Sequence, residues 1–358
     1  MEFNSKTREL LMSHYNKYPQ LQTQDIFKFL YQSSFGCEHM VQEFDGVEER
    51  ILKEYENSTI KKEISLVERL DGAYSRVDLA YLSKGLSAAT LAKLFLLSAK
   101  TEIEGRPVLE SKLEVAKCLA KENLLPFSTE ELENEIIRWQ ADGYPAVRHS
   151  DVFRKQYCPT YRVIADKYID FLPLFAKIDT SLAKGSVILA IEGGAASGKT
   201  TLSEMLSEIY DATVFHMDDF FLRREQRTPE RYATPGGNID KERFLEEVLI
   251  PLKLGQTVRY RKFNCATMKL EPEIEVIPKK LTVIEGAYSM HPELSKYYDL
   301  SVFLDISPDL QKARLKKRNS PQIVERFYNE WLPLERLYFS KLKVKERCNL
   351  LLSAADSQ

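Results

Sequence analysis

Up to about residue 178, apolar side chains return at helical spacing, and several of these runs carry their own start signals. Thr23 is placed to cap a helix that presents Ile26, Phe27, Leu30 and Tyr31 on one face. Ser87 is placed to cap a second helix over residues 88–98, where the continuous run Leu94-Phe95-Leu96-Leu97 implies burial on most sides. Ser128-Thr129-Glu130-Glu131 reads as a capping box ahead of Leu132, Ile136, Ile137 and Trp139. Residues 64–80 break the pattern and contain Asp71-Gly72, which predicts a small hairpin. Residues 1–178 therefore read as a mainly helical domain.

From Gly185 the texture changes. Short β-type runs at 187–191, 212–216, 281–284 and 300–306 alternate with helical stretches, the order of a parallel sheet covered by helices. The segment 179–185, DTSLAKG, reads as a linker to a second domain over 186–358. No internal repeat or low-complexity tract interrupts either half.

The first β-run leads into Gly193-Gly194-Ala195-Ala196-Ser197-Gly198-Lys199-Thr200, a GxxxxGK[ST] motif, and then into Leu202, Met205, Leu206 and Ile209 along one helix face. Strand, glycine loop and amphipathic helix in that order predict a nucleoside triphosphate site. The glycines let backbone N–H groups from Gly193 through Thr201 turn inward around an anion, at the positive end of the next helix. Lys199 then reaches the β- and γ-phosphates. Thr200 offers its hydroxyl to Mg²⁺, a hard cation that takes oxygen ligands and is shared between protein and phosphate.

At 358 residues the chain exceeds one typical core, which agrees with two domains. With 51 Lys and Arg against 53 Asp and Glu, the net charge of −2 gives no electrostatic case for a nucleic-acid partner and points to a small molecule. Cys37, Cys118, Cys158, Cys265 and Cys348 are odd in number and too far apart for CxxC pairs, so neither a zinc module nor a disulfide framework is indicated. Such usage fits a reduced cytosol. The start MEFNSK lacks an apolar signal core, and no run approaches about 18 apolar residues. A soluble, cytoplasmic protein without a membrane partner is expected; an oligomer is left open, with aromatic residues after 321 available to an interface.

In a parallel sheet the ligand lies beyond the carboxyl ends of the strands, so polar residues there are the first candidates. His216-Met217-Asp218-Asp219-Phe220-Phe221 puts two carboxylates above the second strand. Asp218 suits a base that orients an attacking hydroxyl and accepts its proton, with Asp219 on the substrate side; the bland alternative makes both acids caps of the following turn. The loop 232–240 ends in Asp240, which either accepts from substrate hydroxyls or caps the helix expected over 241–249. Glu285 at the end of the third strand can reach Mg²⁺ through water, and Gly286 leaves room for a phosphate or sugar. After the fourth strand, Ser307 and Pro308 open a helix carrying Lys312, Arg314, Lys316, Lys317 and Arg318. Such a run is ordinarily a solvated face, but Arg314 and Arg318 are one turn apart and both can point to a transferring phosphate.

Taken in order, GGAASGKTT, MDDFF, GGNIDKERF, Tyr260, VIEG and the segment from Arg314 to Arg318 resemble the uridine kinase and phosphoribulokinase family of P-loop kinases, over roughly 185–350. The resemblance implies a P-loop α/β fold, ATP and Mg²⁺ as cofactors, and transfer of the γ-phosphate to a hydroxyl. It implies Asp218 as the catalytic aspartate, Asp240 as an acid on substrate hydroxyls, Tyr260 on the substrate side, and Arg314 and Arg318 at the start of a lid. The lid runs through Asn319-Ser320-Pro321 into a helix with Phe327, Trp331 and Glu335. Arg261-Lys262-Phe263-Asn264-Cys265 matches no base-recognition segment of that family, which speaks against uridine itself; a nucleoside or a similar polyol metabolite is the expected acceptor.

In the N-terminal half, Phe35-Gly36-Cys37-Glu38-His39 and Arg148-His149-Ser150, with Tyr161 and Arg162, either line a second pocket or are satisfied polar residues. Cys37 beside His39 lacks the orienting third group of a thiol nucleophile. Two function classes remain: a small-molecule kinase, or an ATP-dependent switch through which the second domain controls binding by the helical one.

Overall fold

The computed structural model describes residues 2–37, 46–58, 65–100 and 104–353. Contacts divide the chain into two compact units, Met1–Ala176 and Lys177–Gln358. The division falls inside the helix Leu172–Leu182, so the stretch expected as a linker is helical through Leu182. Among the described residues no helix is long and apolar enough to cross a membrane.

The first unit packs helices Glu2–Lys17, Thr23–Phe35, Ala88–Ala99, Gly105–Lys121 and Thr129–Ala141 with shorter ones around a three-stranded antiparallel sheet. Ser87 and Ser128 cap as expected, accepting from Thr90 N–H at 3.0 Å and Glu131 N–H at 3.1 Å. Thr23 does not cap: it is the first helical residue, and Asp25 reaches back to Gln22 N–H at 3.0 Å. The hairpin is present as Val67–Arg69 and Tyr74–Asp78, and a third strand, Tyr161–Ala165, pairs with the latter.

That sheet carries a buried polar network. Arg76, 3% exposed, donates to Gln32 at 2.9 Å and Glu68 at 3.1 Å, and lies over the Tyr161 ring. His149 bonds Asp25 at 2.9 Å and Tyr161 at 2.7 Å and stacks on Phe153. Arg162 pairs with Glu54 at 2.8 Å. His149, Tyr161 and Arg162 thus take the satisfied-polar reading. Cys37 is buried with its thiol directed at Phe95 C=O, whereas His39 lies outside the described residues.

The second unit is built on five parallel strands in the order Leu350–Ser353, Leu300–Asp305, Val187–Gly193, Leu281–Glu285, Thr213–His216. The central strand is buried along its whole length, which explains its unbroken apolar run. The fifth strand was not anticipated, since Leu350-Leu351-Leu352 follows a charged helix without a turn signal and forms only an edge. The helix expected over 241–249 is interrupted by a π turn at Leu245–Leu249, and the lid helix by another at Phe327–Trp331. Each precedes a proline, Pro251 or Pro333, that has no N–H to give its own turn. The preceding amide reaches back five residues instead, Ile250 to Leu245 and Leu332 to Phe327.

Burial holds the His149 imidazole down at about 4, against the opposing pull of Asp25, and lowers His14 as well. An unfolded histidine takes up its proton near 6.5, so the folded state loses stability as pH falls from 6.5 toward 4 and keeps it above 6.5. The thermal midpoint is expected to drop over that window. His149→Gln should flatten the slope of midpoint against pH; an unchanged slope would show that this histidine does not supply it.

Candidate active site

The carboxyl ends of the strands gather the chemistry. Register sets Glu285 opposite Ile191 on one side and His216 on the other, and Leu304 opposite Gly193. The loop then turns with φ of 151° at Gly193, 61° at Ala196 and 101° at Gly198. A Cβ on Gly193 would lie 2.6 Å from Leu304 C=O, so only glycine fits between the strand and its neighbour. Lys199, Thr200 and Thr201 form the first turn of the helix Lys199–Tyr210, whose free N–H groups face the loop. Lys199 Nζ donates to the carbonyls of Gly193 and Gly194, both at 2.9 Å.

Glu285 receives two contacts on Oε1: the Thr200 hydroxyl at 3.5 Å and His216 Nδ1 at 2.6 Å. The carboxylate raises the His216 pKa, against the opposing effect of burial. Thr200 and Glu285 are hard oxygen donors side by side, a set that suits Mg²⁺ completed by phosphate oxygens and water. Among the described residues no three His, Cys, Asp or Glu side chains converge as a metal cage.

Asp218 is exposed just beyond the strand that ends at His216. Desolvation there raises its carboxyl pKa, helped by Glu285 and Asp219 and opposed by Lys199 and His216. Lys199 thus favours the ionised form of Asp218. Asp219 turns elsewhere: Lys262 Nζ stands 3.1 Å from its Oδ2 as an ion pair, and its carbonyl accepts from Arg243 at 2.9 Å.

Asp240 takes the capping role, accepting from Arg243 N–H at 3.3 Å. It is 1% exposed, and its Oδ2 lies 3.4 Å from Arg243 Nε without a hydrogen bond. Tyr260 is placed in the core: it is 4% exposed, its ring packs on Phe215 and Phe220, and burial pushes its hydroxyl up to about 12. A short strand pairs Val258–Tyr260 with Ile274–Val276 and turns alternate side chains into the core. Gly286 likewise makes room for protein, since a Cβ there would lie 2.7 Å from Met217 Cβ. Arg314 reaches the loop, donating to Ala196 C=O at 3.2 Å, whereas Arg318 stays exposed in the last turn of its helix.

Three residues without a role in the sequence analysis meet the loop, and a fourth, His216, meets Glu285 beside it. Gln311 donates to Ala195 C=O at 2.9 Å, Glu335 accepts from Ala195 N–H at 3.0 Å, and His216 holds Glu285. Glu192, fully buried at the strand's end, accepts from Gly193 N–H at 2.9 Å, Met290 N–H at 3.0 Å and Tyr338 OH at 3.0 Å. Burial pushes Glu192 up to about 7 in spite of those donors. A charged residue breaking an apolar strand before the glycines was its only signal. The loop 234–239 closes beside this group: Arg231 donates to Gly237 C=O at 2.8 Å and Ile239 C=O at 2.9 Å, and Gly236 packs on His291 and Tyr338.

Residues 188–322 match the phosphoribulokinase / uridine kinase family. The chain is similar to a phosphoribulokinase of Synechocystis sp., 28% identical over 35% of this chain and 39% of that protein. It is also similar to a uridine kinase of Chlamydia pneumoniae, 30% identical over 37% of this chain and 64% of that one. A uridine kinase-like protein of Arabidopsis thaliana matches at 28% identity over 37% and 30%. The chain thus spans between 30% and 64% of the length of these relatives. A solved structure of a possible uridine kinase from Bacillus stearothermophilus covers 50% of this chain and 98% of its own, with 22% identity and a TM-score of 0.38. The resemblance carried by the ordered motifs holds over residues 188–322.

Because the Glu285 hydrogen bond is the main cause of the raised His216 pKa, Glu285→Gln is expected to return it toward 6.5. Titration of the His216 ring protons by NMR checks this; a pKa left where it was would mean that Glu285 does not hold the imidazolium.

Proposed function

We propose that residues 186–358 form an ATP-dependent small-molecule kinase that transfers the γ-phosphate to a hydroxyl of a nucleoside or similar polyol metabolite. The observation that carries this reading is Glu285 next to Thr200 at the end of the strand that pairs with the GxxxxGK strand, with Asp218 two residues beyond the neighbouring strand end at His216. Two separate acidic positions beyond the loop favour transfer over a nucleotide switch, which needs no base for an acceptor.

In this reading the loop N–H groups and Lys199 bind the donor's phosphates, and Lys199 exchanges its loop carbonyls for phosphate oxygens. Asp218 orients the acceptor hydroxyl and takes its proton as the oxygen forms a bond to the γ-phosphorus. The bond from that phosphorus to the β–γ bridging oxygen breaks, and its electron pair leaves with ADP. The raised pKa of Asp218 brings the base closer to neutral pH than an ordinary carboxylate, which favours proton transfer. Thr200 and Glu285 would hold Mg²⁺, which supplies charge neutralisation on the phosphates when bound. Arg314, bonded to the loop at Ala196 C=O, supplies a further positive charge.

The family match over 188–322 supports the reaction class, and the relatives named above act as uridine kinase or phosphoribulokinase by name. The acceptor of this chain is bounded by the segment from Phe220 to Asp240, which Arg231 and Arg243 tie down.

Asp218→Asn is expected to lower turnover by about 10²–10⁴, the range for losing a positioned base, while ATP affinity stays near that of the parent. Phosphate transfer from labelled ATP to a metabolite pool, with mass-spectrometric detection of new phosphoesters, measures it. Turnover at the parent rate would remove Asp218 as the base, and label found only as free phosphate would favour the switch.

A further inference from the structure

The tip of the loop is held by a carboxylate. Glu335, on the helix Leu332–Leu342, is 8% exposed and accepts from Ala195 N–H at 3.0 Å. A Cβ on Gly194 would come within 3.5 Å of the same Oε2, so the acid lies directly against the loop. One helical turn on, Tyr338 donates to Glu192 beneath Gly193. The helix therefore grips the loop at two points, its tip through Glu335 and its base through Tyr338 and Glu192.

Charge makes the first grip unusual. Burial raises the Glu335 pKa and Asp218 adds to the shift, while Lys199 and the Ala195 N–H favour the ionised form, and the Lys199 amine itself bonds loop carbonyls. A carboxylate bonded to a main-chain N–H of a GxxxxGK loop uses the same kind of interaction by which such a loop holds phosphate.

We propose that Glu335 competes with the donor's phosphates for the loop and so sets the affinity for polyphosphate. An incoming phosphate either displaces the carboxylate from Ala195 N–H or sits beside its negative charge, and both weaken binding. The selected class is the polyphosphate, since the contact concerns loop amides and no base or sugar. This inference rests on residues 193–200 acting as a phosphate loop, and it needs no acceptor.

Glu335→Gln keeps the size and an oxygen acceptor for Ala195 N–H while removing the charge. Glu335→Asp keeps the charge but withdraws it by one methylene. By calorimetry on the full chain, ATP and inorganic tripolyphosphate are expected to bind the Gln variant about tenfold tighter than the parent, the size of one relieved charge-assisted contact. The Asp variant should fall between the two. Equal or weaker binding by the Gln variant overturns the proposal, as does failure of both proteins to bind tripolyphosphate. Because binding is measured without transfer, the kinase reading can fail at Asp218 while this one stands, and the reverse.

Discussion

The parallel register that sets Glu285 opposite Ile191 and His216 fixes the height of three strand ends together. Side chains on neighbouring parallel strands stand about 4.8 Å apart, so residues level in register and pointing the same way are brought into hydrogen-bond reach without any loop having to carry them. That is how His216 comes to bond Glu285, whereas Thr200 is brought to the same oxygen by the glycine loop that leads into its helix. A slip of one residue in the pairing of Leu281–Glu285 would turn Glu285 to the other face and dismantle the group.

Glu192 extends that constraint downward. It is the last polar residue before the loop, it has no access to water, and four donors from three segments converge on it. A buried carboxyl is costly unless satisfied, so the segment around Met290 and the helix bearing Tyr338 are both held in place by the need to satisfy it. The loop's conformation is therefore coupled to the C-terminal helix through one side chain, and Glu335 on the same helix face adds a second connection.

What the sequence made legible follows from where the physics is local. The turn of Gly193 to Thr200, the apolar run of the central strand and the caps at Ser87 and Ser128 depend on residues within a few positions of each other, and all are found. The place of Asp218 just beyond a strand end was legible because it depends on the local run of residues and not on the register. Tyr260 was not, since whether a ring on a three-residue strand faces core or cleft is decided by its partner Ile274–Val276 and by Phe215 and Phe220, distant in sequence. Gly286 misled for the same reason: the absent Cβ serves Met217, sixty-nine positions earlier. Gln311 and Glu335 act on the loop from positions that no spacing rule connects to it.

The charge balance around the loop then bears on the donor. Asp218, Glu285 and Glu335 surround a segment to which Lys199 and Arg314 bring positive charge. A triphosphate adds several negative charges to a site already rich in carboxylates, and two side-chain cations do not offset them together with the acids. Helix-end amides help, but their partial charge falls off within one turn. Under the kinase reading the remainder must come from a divalent cation, and the Thr200–Glu285 pair stands where the acids would otherwise repel the donor most. The same balance explains why removing one acid from the loop is expected to tighten phosphate binding, whereas removing Glu285 would take away a place for the cation that makes such binding affordable.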